Sequence, residues 1–316
     1  FDRWFKANVI DLPQSLIEKI IRLNKVKINR KKTKSSYRVQ AGDIIEVYDI
    51  SKFKVSDRPK IIKYKPSRKE VDIYDNYILE NNNNFIVINK PAGIAVQSGT
   101  KSFKNIIDVL KDTKYFVNTK PYIVHRLDKE TSGVMIVAKT REYAQLFTSL
   151  FRIRKIHKTY IALAHGKIPN NIITLKDDLI TFDKDKKIIQ KAISHIRVLK
   201  SSNDFSYVEL NPITGRKHQL RKQLYNIGNP IVGDDKYFLD RRADKIKKKN
   251  KALMLHAYKI KFMINNIQYN FKAEYSKDFE DFIKKELKIL LIFFKNIFLN
   301  FLSLFLIIFF FSFKID

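Results

Sequence analysis

The chain has 316 residues, carries 62 Lys and Arg against 32 Asp and Glu for a formal net charge of +30 at pH 7, and contains no cysteine. With 45% hydrophobic and 13% aromatic residues it cannot be globally disordered, and its length suits two domains with a substantial core. Lack of cysteine excludes disulfides, thiolate nucleophiles and Cys-ligated zinc or iron–sulfur clusters, and points to a reducing compartment.

The 6 His are scattered without an H-E-x-x-H pattern, so no metal site is expected. Neither G-x-x-x-x-G-K-[ST] nor G-x-G-x-x-G occurs, which removes the main signals of nucleotide cofactor folds. A positive surplus of this size calls for a polyanionic partner, nucleic acid first and an acidic membrane surface second. The other reading is a basic surface tuned for solubility.

The chain starts at Phe1 rather than Met and reads as clipped, with no secretory signal in its first 24 residues. Leu16, Ile17, Ile20, Ile21 and Leu23 fall at helical spacing behind Ser15 as a cap, predicting a helix over 13–24. Val26 and Ile28 alternate as a strand does, a basic run follows at Arg30-Lys31-Lys32, and Ala41-Gly42-Asp43 turns the chain into a strand over 44–47. Residues 1–48 thus form a small helix-plus-strand unit with 11 Lys and Arg against 5 acids. That excess fits either a phosphate-binding face or an ordinary solvated one.

Residues 49–70 lack a sustained period and read as a linker. A larger domain spans 71–286, with short β-branched runs at 85–88, 134–137, 160–163, 207–210, 253–264 and 267–273, and helical periodicity at 141–153, 216–227 and 278–288. Strands and helices do not alternate regularly, so the expected class is α+β with a mainly antiparallel sheet. The basic stretch 241–251 reads as an exposed loop. The last segment, 287–316, is a hydrophobic extension in which Asn296–Phe313 is uncharged, with Lys284, Lys285 and Lys288 before it. It has the length of a membrane anchor, or it is a weakly selected extension rich in residues of A/T-rich codons.

Two clusters carry the chemistry. His125-Arg126-Leu127-Asp128-Lys129-Glu130-Thr131-Ser132-Gly133 places a carboxylate between cations at a glycine turn, which suits a nucleophile or base, or equally a structural Asp–Arg pair. Pro212-Ile213-Thr214-Gly215-Arg216-Lys217-His218-Gln219-Leu220-Arg221 reads as a helix start whose first turns present Arg216, His218 and Arg221 to a carboxylate or phosphate.

The first of these strings resembles the H-R-L-D-x-x-T-S-G signature of the RluA-type pseudouridine synthases. Asn89-Lys90-Pro91-Ala92-Gly93, Lys158-Thr159-Tyr160-Ile161-Ala162-Leu163, the second cluster and Leu255-His256-Ala257 follow in the family's order. Residues 1–48 resemble the S4 RNA-binding domain that precedes many members, so the likeness runs over about residues 1–285. Pro13-Gln14-Ser15-Leu16 through Gly42-Asp43 is most similar to the subgroup acting on 23S ribosomal RNA, synthase C. Gln97 and Gln223 depart from the family pattern, at positions that bear on substrate choice rather than on the chemistry.

The resemblance implies isomerisation of uridine to pseudouridine in 23S ribosomal RNA of the large ribosomal subunit precursor, in the cytoplasm, with no cofactor and no metal. It implies that Asp128 attacks the ribose or takes its 2′ proton, that Arg221 pairs with that carboxylate, and that Tyr160 packs on the flipped base. Arg126 would insert where the base left, with His125, Arg216 and His218 also contacting substrate. In the S4-like unit Arg3, Lys19, Arg22, Lys25, Lys27, Arg30, Lys31 and Lys32 would meet RNA. A catalytically inactive ribosome-assembly RNA-binding protein is the alternative, and the intact set Asp128, Tyr160 and Arg221 argues against it.

Overall fold

The computed structural model describes residues 1–10, 12–49, 64–98, 104–183, 186–238 and 252–286. The expected 241–251 loop, the 287–316 extension and most of the 49–70 linker lie outside these residues. The chain divides into two compact units at residues 63/64.

In the N-terminal unit, helices α1 (Asp2–Asn8) and α2 (Gln14–Arg22) accompany strands β1 (Val26–Ile28), β2 (Lys31–Lys32) and β3 (Ile45–Val47). The strands form an antiparallel sheet in the order β2-β1-β3. Phe5, Ile17, Ile20 and Val26 are fully buried and, with Phe1, Leu12 and Ile28, make the core. Ser15 is not the cap of α2: Pro13 holds that position and Ser15 lies within the first turn. Asn29 and Arg30, both at positive φ, make the tight β1–β2 turn. The Asn29 side chain then ties that turn to Asp43 and the backbone of Ile44.

The larger unit opens with α3 (Arg68–Asp75), capped by Ser67, so residues 68–70 are helical where a linker was expected. Its ten-stranded sheet contains β4 (Ile78–Asn81), β5 (Phe85–Lys90), β6 (Tyr122–Ile123), β7 (Ser132–Ala138), β8 (His157–His165), β9 (Thr174–Asp183), β10 (Lys186–Ser201), β11 (Phe205–Pro212), β12 (Leu255–Ile264) and β13 (Ile267–Lys272). The order is β4-β5-β7-β12-β8-β11-β10-β9, with β13 on β12 and β6 on β7. Among the described residues all pairs are antiparallel except β7 with β12. The α+β class with a mainly antiparallel sheet therefore holds.

The apolar runs of β5 and β7 are continuous because both faces of the sheet are covered. Ile86, Ile88, Met135 and Val137 pack on one side with α4 (Ile106–Lys111). Phe85, Val87, Val134 and Ile136 pack on the other, where α5 (Arg141–Arg152) inserts Phe147. A third cluster packs α6 (Gln219–Asn226) and α7 (Lys277–Glu286) against β8 and β11.

Candidate active site

The loop between β6 and β7 carries Asp128, and most of its neighbours hold the loop in place. His125 Nε2 accepts from the Ile136 N–H at 2.9 Å, and its ring stacks on Phe151 with centroids 4.6 Å apart. Burial, helped by nearby Lys158, pushes the His125 imidazole down to about 3, so it is neutral at ordinary pH. Leu127 and Thr131 are buried. Ser132 Oγ lies 2.8 Å from His256 Nδ1, while His256 Nε2 donates to the Ala273 carbonyl. Gly133 has φ +115°, and a Cβ there would fall 2.2 Å from the Ala257 carbonyl oxygen, so only glycine permits the β7–β12 pairing at this point.

Lys90 closes the loop from below. Its ammonium is fully buried and donates to the carbonyls of Pro91 and Ile94, at 2.8 and 2.9 Å, and to that of Lys129 at 3.2 Å. Burial pushes it down to about 7, with Glu130 and Asp128 pulling the other way. Of the fixed signature residues, Arg126 and Asp128 are the two whose side chains take no part in holding the loop. Arg126 is exposed and forms no ion pair with a described residue, and the Asp128 carboxylate has no hydrogen bond among the described residues.

These two line a cavity of about 700 Å³ together with Lys158, Tyr160, Arg216, His218 and Arg221. The structure thus brings together in one cleft every catalytic and substrate-binding residue expected in this domain. Tyr160 comes from the central strand β8, and its hydroxyl has no partner among the described residues. Burial, then the negative charge of Asp128, pushes its pKa up, so it stays protonated. Burial lowers Lys158, which makes no ion pair with a described residue.

The second cluster is built differently from the expectation. Helix α6 begins only at Gln219, with His218 at its N-cap in the left-handed conformation, and 214–217 form the turn before it. The reason is that Thr214 Oγ1 accepts from the Ile193 N–H and donates to Gln219 Oε1, fixing the turn to β10. Gln223 is fully buried, bonding Ser194 and the carbonyls of Leu175 and Ala192, and it does not reach the cavity. Arg216 Nε donates to the Lys191 carbonyl. His218 Nε2 stands 3.7 Å from Asp128 Oδ1, and Nδ1 lies 3.0 Å from the Tyr237 hydroxyl. Burial lowers the His218 pKa, opposed by the Asp128 charge.

Arg221 is the main correction. Its guanidinium does not bond Asp128; Nε and Nη2 both donate to Asp234 at 2.6 Å, and Nη2 also donates to Asp235 at 2.9 Å. It lies over the Tyr237 ring at 5.3 Å. Burial disfavours its charge, but the pairing with Asp234 outweighs this and its pKa rises, with Asp128 adding attraction through space. Asp234 and Tyr237 were missed by the sequence reading; the only signal was two successive acids after Gly233 in a basic chain. Gly233, at φ +77°, allows the turn, because a Cβ would fall 2.0 Å from the Ala252 carbonyl oxygen. Among the described residues no group of three or more His, Asp or Glu could hold a metal ion.

A carboxylate beside several cations and a protonated tyrosine, in a cleft at the centre of a mainly antiparallel sheet, suits nucleophilic or acid–base chemistry on an anionic substrate. Comparison with known proteins agrees. Residues 84–226 match the RNA pseudouridylate synthase family. A ribosomal large subunit pseudouridine synthase C of Buchnera aphidicola subsp. Baizongia pistaciae is 34% identical over 83% of this chain and 84% of its own length. The protein of the same name from Rickettsia conorii is 35% identical over 75% of this chain and 81% of its own. The solved human RNA pseudouridylate synthase domain containing 4 superposes with a TM-score of 0.56 at 27% identity, covering 67% of this chain and 94% of that one. The chain belongs to the RluA-type family and is an RNA pseudouridine synthase, an isomerase.

Proposed function

We propose that this enzyme converts specific uridines of 23S ribosomal RNA to pseudouridine, with Asp128 as the essential carboxylate, and that it works in the cytoplasm where the large ribosomal subunit precursor is assembled. The observation that carries the proposal is the convergence of the Asp128 carboxylate, the Tyr160 hydroxyl and the Arg221 guanidinium on one cavity. The names of the relatives, matched over three quarters of the chain or more, support the choice of RNA.

The reaction breaks the bond from ribose C1′ to uracil N1, turns the base, and joins C5 to C1′; C5 gives up a proton and the freed N1 takes one up. Atoms balance within the nucleotide, so neither an oxidant nor a transferred group is called for. The base has to leave its stack first, at a cost of a few kcal/mol. Arg126, exposed at the cavity rim, suits the vacated place, and the Tyr160 ring offers the flipped uracil a face to stack on. Asp128 then attacks C1′ or removes the 2′ proton. Arg221 and His218 keep its surroundings positive and polar, and Arg216 is placed to meet a phosphate. His125, by contrast, supports the loop, since its Nε2 is held by the backbone. In the N-terminal unit an S4-like role in RNA binding falls to Arg3, Lys19, Arg22, Arg30, Lys31 and Lys32, which are exposed and form no salt bridge with a described residue. Lys25 is paired with Asp49 and Lys27 is only partly exposed, so they are less free to serve.

Carbodiimide-modified primer extension on ribosomal RNA tests this. In a strain lacking the gene, specific stops should vanish, return with the wild-type protein, and stay absent with Asp128→Asn, whose rate should fall by at least about 1000-fold, or about 4 kcal/mol. An unchanged pattern of stops in the deletion strain overturns the proposal.

A further inference from the structure

A second concavity, of about 810 Å³, adjoins the Asp128 cleft. Its long wall is the outer face of α5, where Arg141, Gln145, Thr148 and Arg152 recur at helical spacing and so lie along one side of the helix. At 1.5 Å per residue this row is about 16 Å long. Ala144 and Ser149, with small side chains, also line the groove. The other face of α5 is fixed in the core through Phe147, so the row is rigidly presented.

The facing wall is Lys120 and Tyr122, with the Lys120 ammonium 5.4 Å from the Tyr122 ring centre. Among the described residues no carboxylate lines the groove, and neither Arg141 nor Arg152 forms an ion pair with a described residue. Arg152 lines both concavities, so they share that side chain as a common border. Three cations, an aromatic ring and neutral hydroxyl and amide groups, without an acid, are the features that recognise a single nucleic-acid strand: phosphates for the cations and a base for the ring.

We propose that this groove carries the RNA strand immediately beside the target uridine, with Lys120, Arg141 and Arg152 on phosphates and Tyr122 under a neighbouring base. The inference rests on the reading of the cleft as the uridine site: a base cannot enter the cleft without its flanking nucleotides crossing a rim, and at Arg152 that rim borders the groove. The role is one of positioning and affinity.

The test measures binding by fluorescence anisotropy across a salt series, using the full chain and its Lys120→Gln/Arg141→Gln double variant. One probe is a 23S ribosomal RNA segment with several single-stranded nucleotides on each side of the target uridine, and the other is the same RNA trimmed to the target uridine and its two flanking phosphates. On the long RNA the double variant should bind about 10-fold more weakly at low salt, and its slope of log Kd against log salt should drop by about 1.4, two single-strand phosphates at about 0.7 each. The trimmed RNA should show neither change, and Lys120→Arg/Arg141→Lys should restore the long-RNA slope. An unaltered slope on the long RNA, or an equal loss on both RNAs, overturns the groove. Binding is read whether or not either RNA is modified, so failure of the reaction assigned above would show separately, as absent pseudouridine in the wild type.

Discussion

Arg221 is held by two carboxylates before any substrate arrives, and this sets what it can do for Asp128. Its fork is engaged by Asp234, which is buried, so it acts on the Asp128 carboxylate as a fixed positive charge rather than as a bonded partner. Removing one member of a buried ion pair leaves the other uncompensated, which typically costs about 3–5 kcal/mol. Asp234→Asn keeps the shape and deletes the charge. It should lower stability by about 3 kcal/mol in urea unfolding and cut kcat at least about 10-fold in the protein that remains folded. An unchanged kcat would show that Arg221 needs no anchor to serve the site. Asp128 itself was legible in the sequence because it sits in a contiguous signature string, although His218 and Tyr160 beside it come from distant parts of the chain. The partner of Arg221 was not, because Asp234 reaches it only through the packing of the 231–237 turn against α6.

Between strands, the site depends on the junction of β7 with β12, the single parallel pairing among the described strands of the sheet. Ser132 and His256 face each other across it, joined side chain to side chain, and Gly133 beside Ala257 lets the backbones approach. His256 is nearly fully buried, and burial pushes its imidazole down to about 4 from an ordinary 6.5, with the Ala273 carbonyl pulling the other way. In the unfolded chain it takes up a proton around pH 6.5; in the folded one it resists. Its contribution to stability is therefore complete above about pH 6.5 and fades as the pH falls toward 4, by about 2 kcal/mol at pH 5. Urea midpoints at pH 7.5 and pH 5 should differ more in the wild type than in His256→Asn, which has no proton to take, and an equal gap in both would remove His256 as a cause. The strands at this junction could be read from their apolar runs. The β9–β10 hairpin could not, since Lys and Asp recur along it with few buried positions. Nor could α1, α3 and α4, which have six to eight residues each and too few turns to establish a period.

Across the whole molecule the surplus of +30 has to be divided between two compact units, each considered on its own. In the larger one, Arg126, Lys158 and Arg216 line the cleft and Lys120, Arg141 and Arg152 the α5 groove, where they would bear on a nucleotide and its neighbours. In the smaller one Lys19 and Arg22 on α2 and Arg30, Lys31 and Lys32 at the β1–β2 turn are exposed without a salt bridge to a described residue, which suits general affinity for phosphates. No helix among the described residues is long and apolar enough to cross a membrane, and the 287–316 extension lies outside them. If the smaller unit supplies affinity, replacing Lys19, Arg22, Arg30, Lys31 and Lys32 by Gln should raise KM and leave kcat at saturating RNA in place. The salt slope of binding should fall by about 0.7 to 0.9 for each phosphate that no longer meets a cation. Combined with the groove substitutions the two decreases should add, because the two sets of cations would meet separate phosphates. Isothermal titration of a ribosomal RNA fragment at several salt concentrations reads the binding slope, and initial rates on the same fragment read KM and kcat. A slope that does not move when five cations are removed would show that the N-terminal charge is a solvated face, and that the RNA is gripped by the larger unit alone.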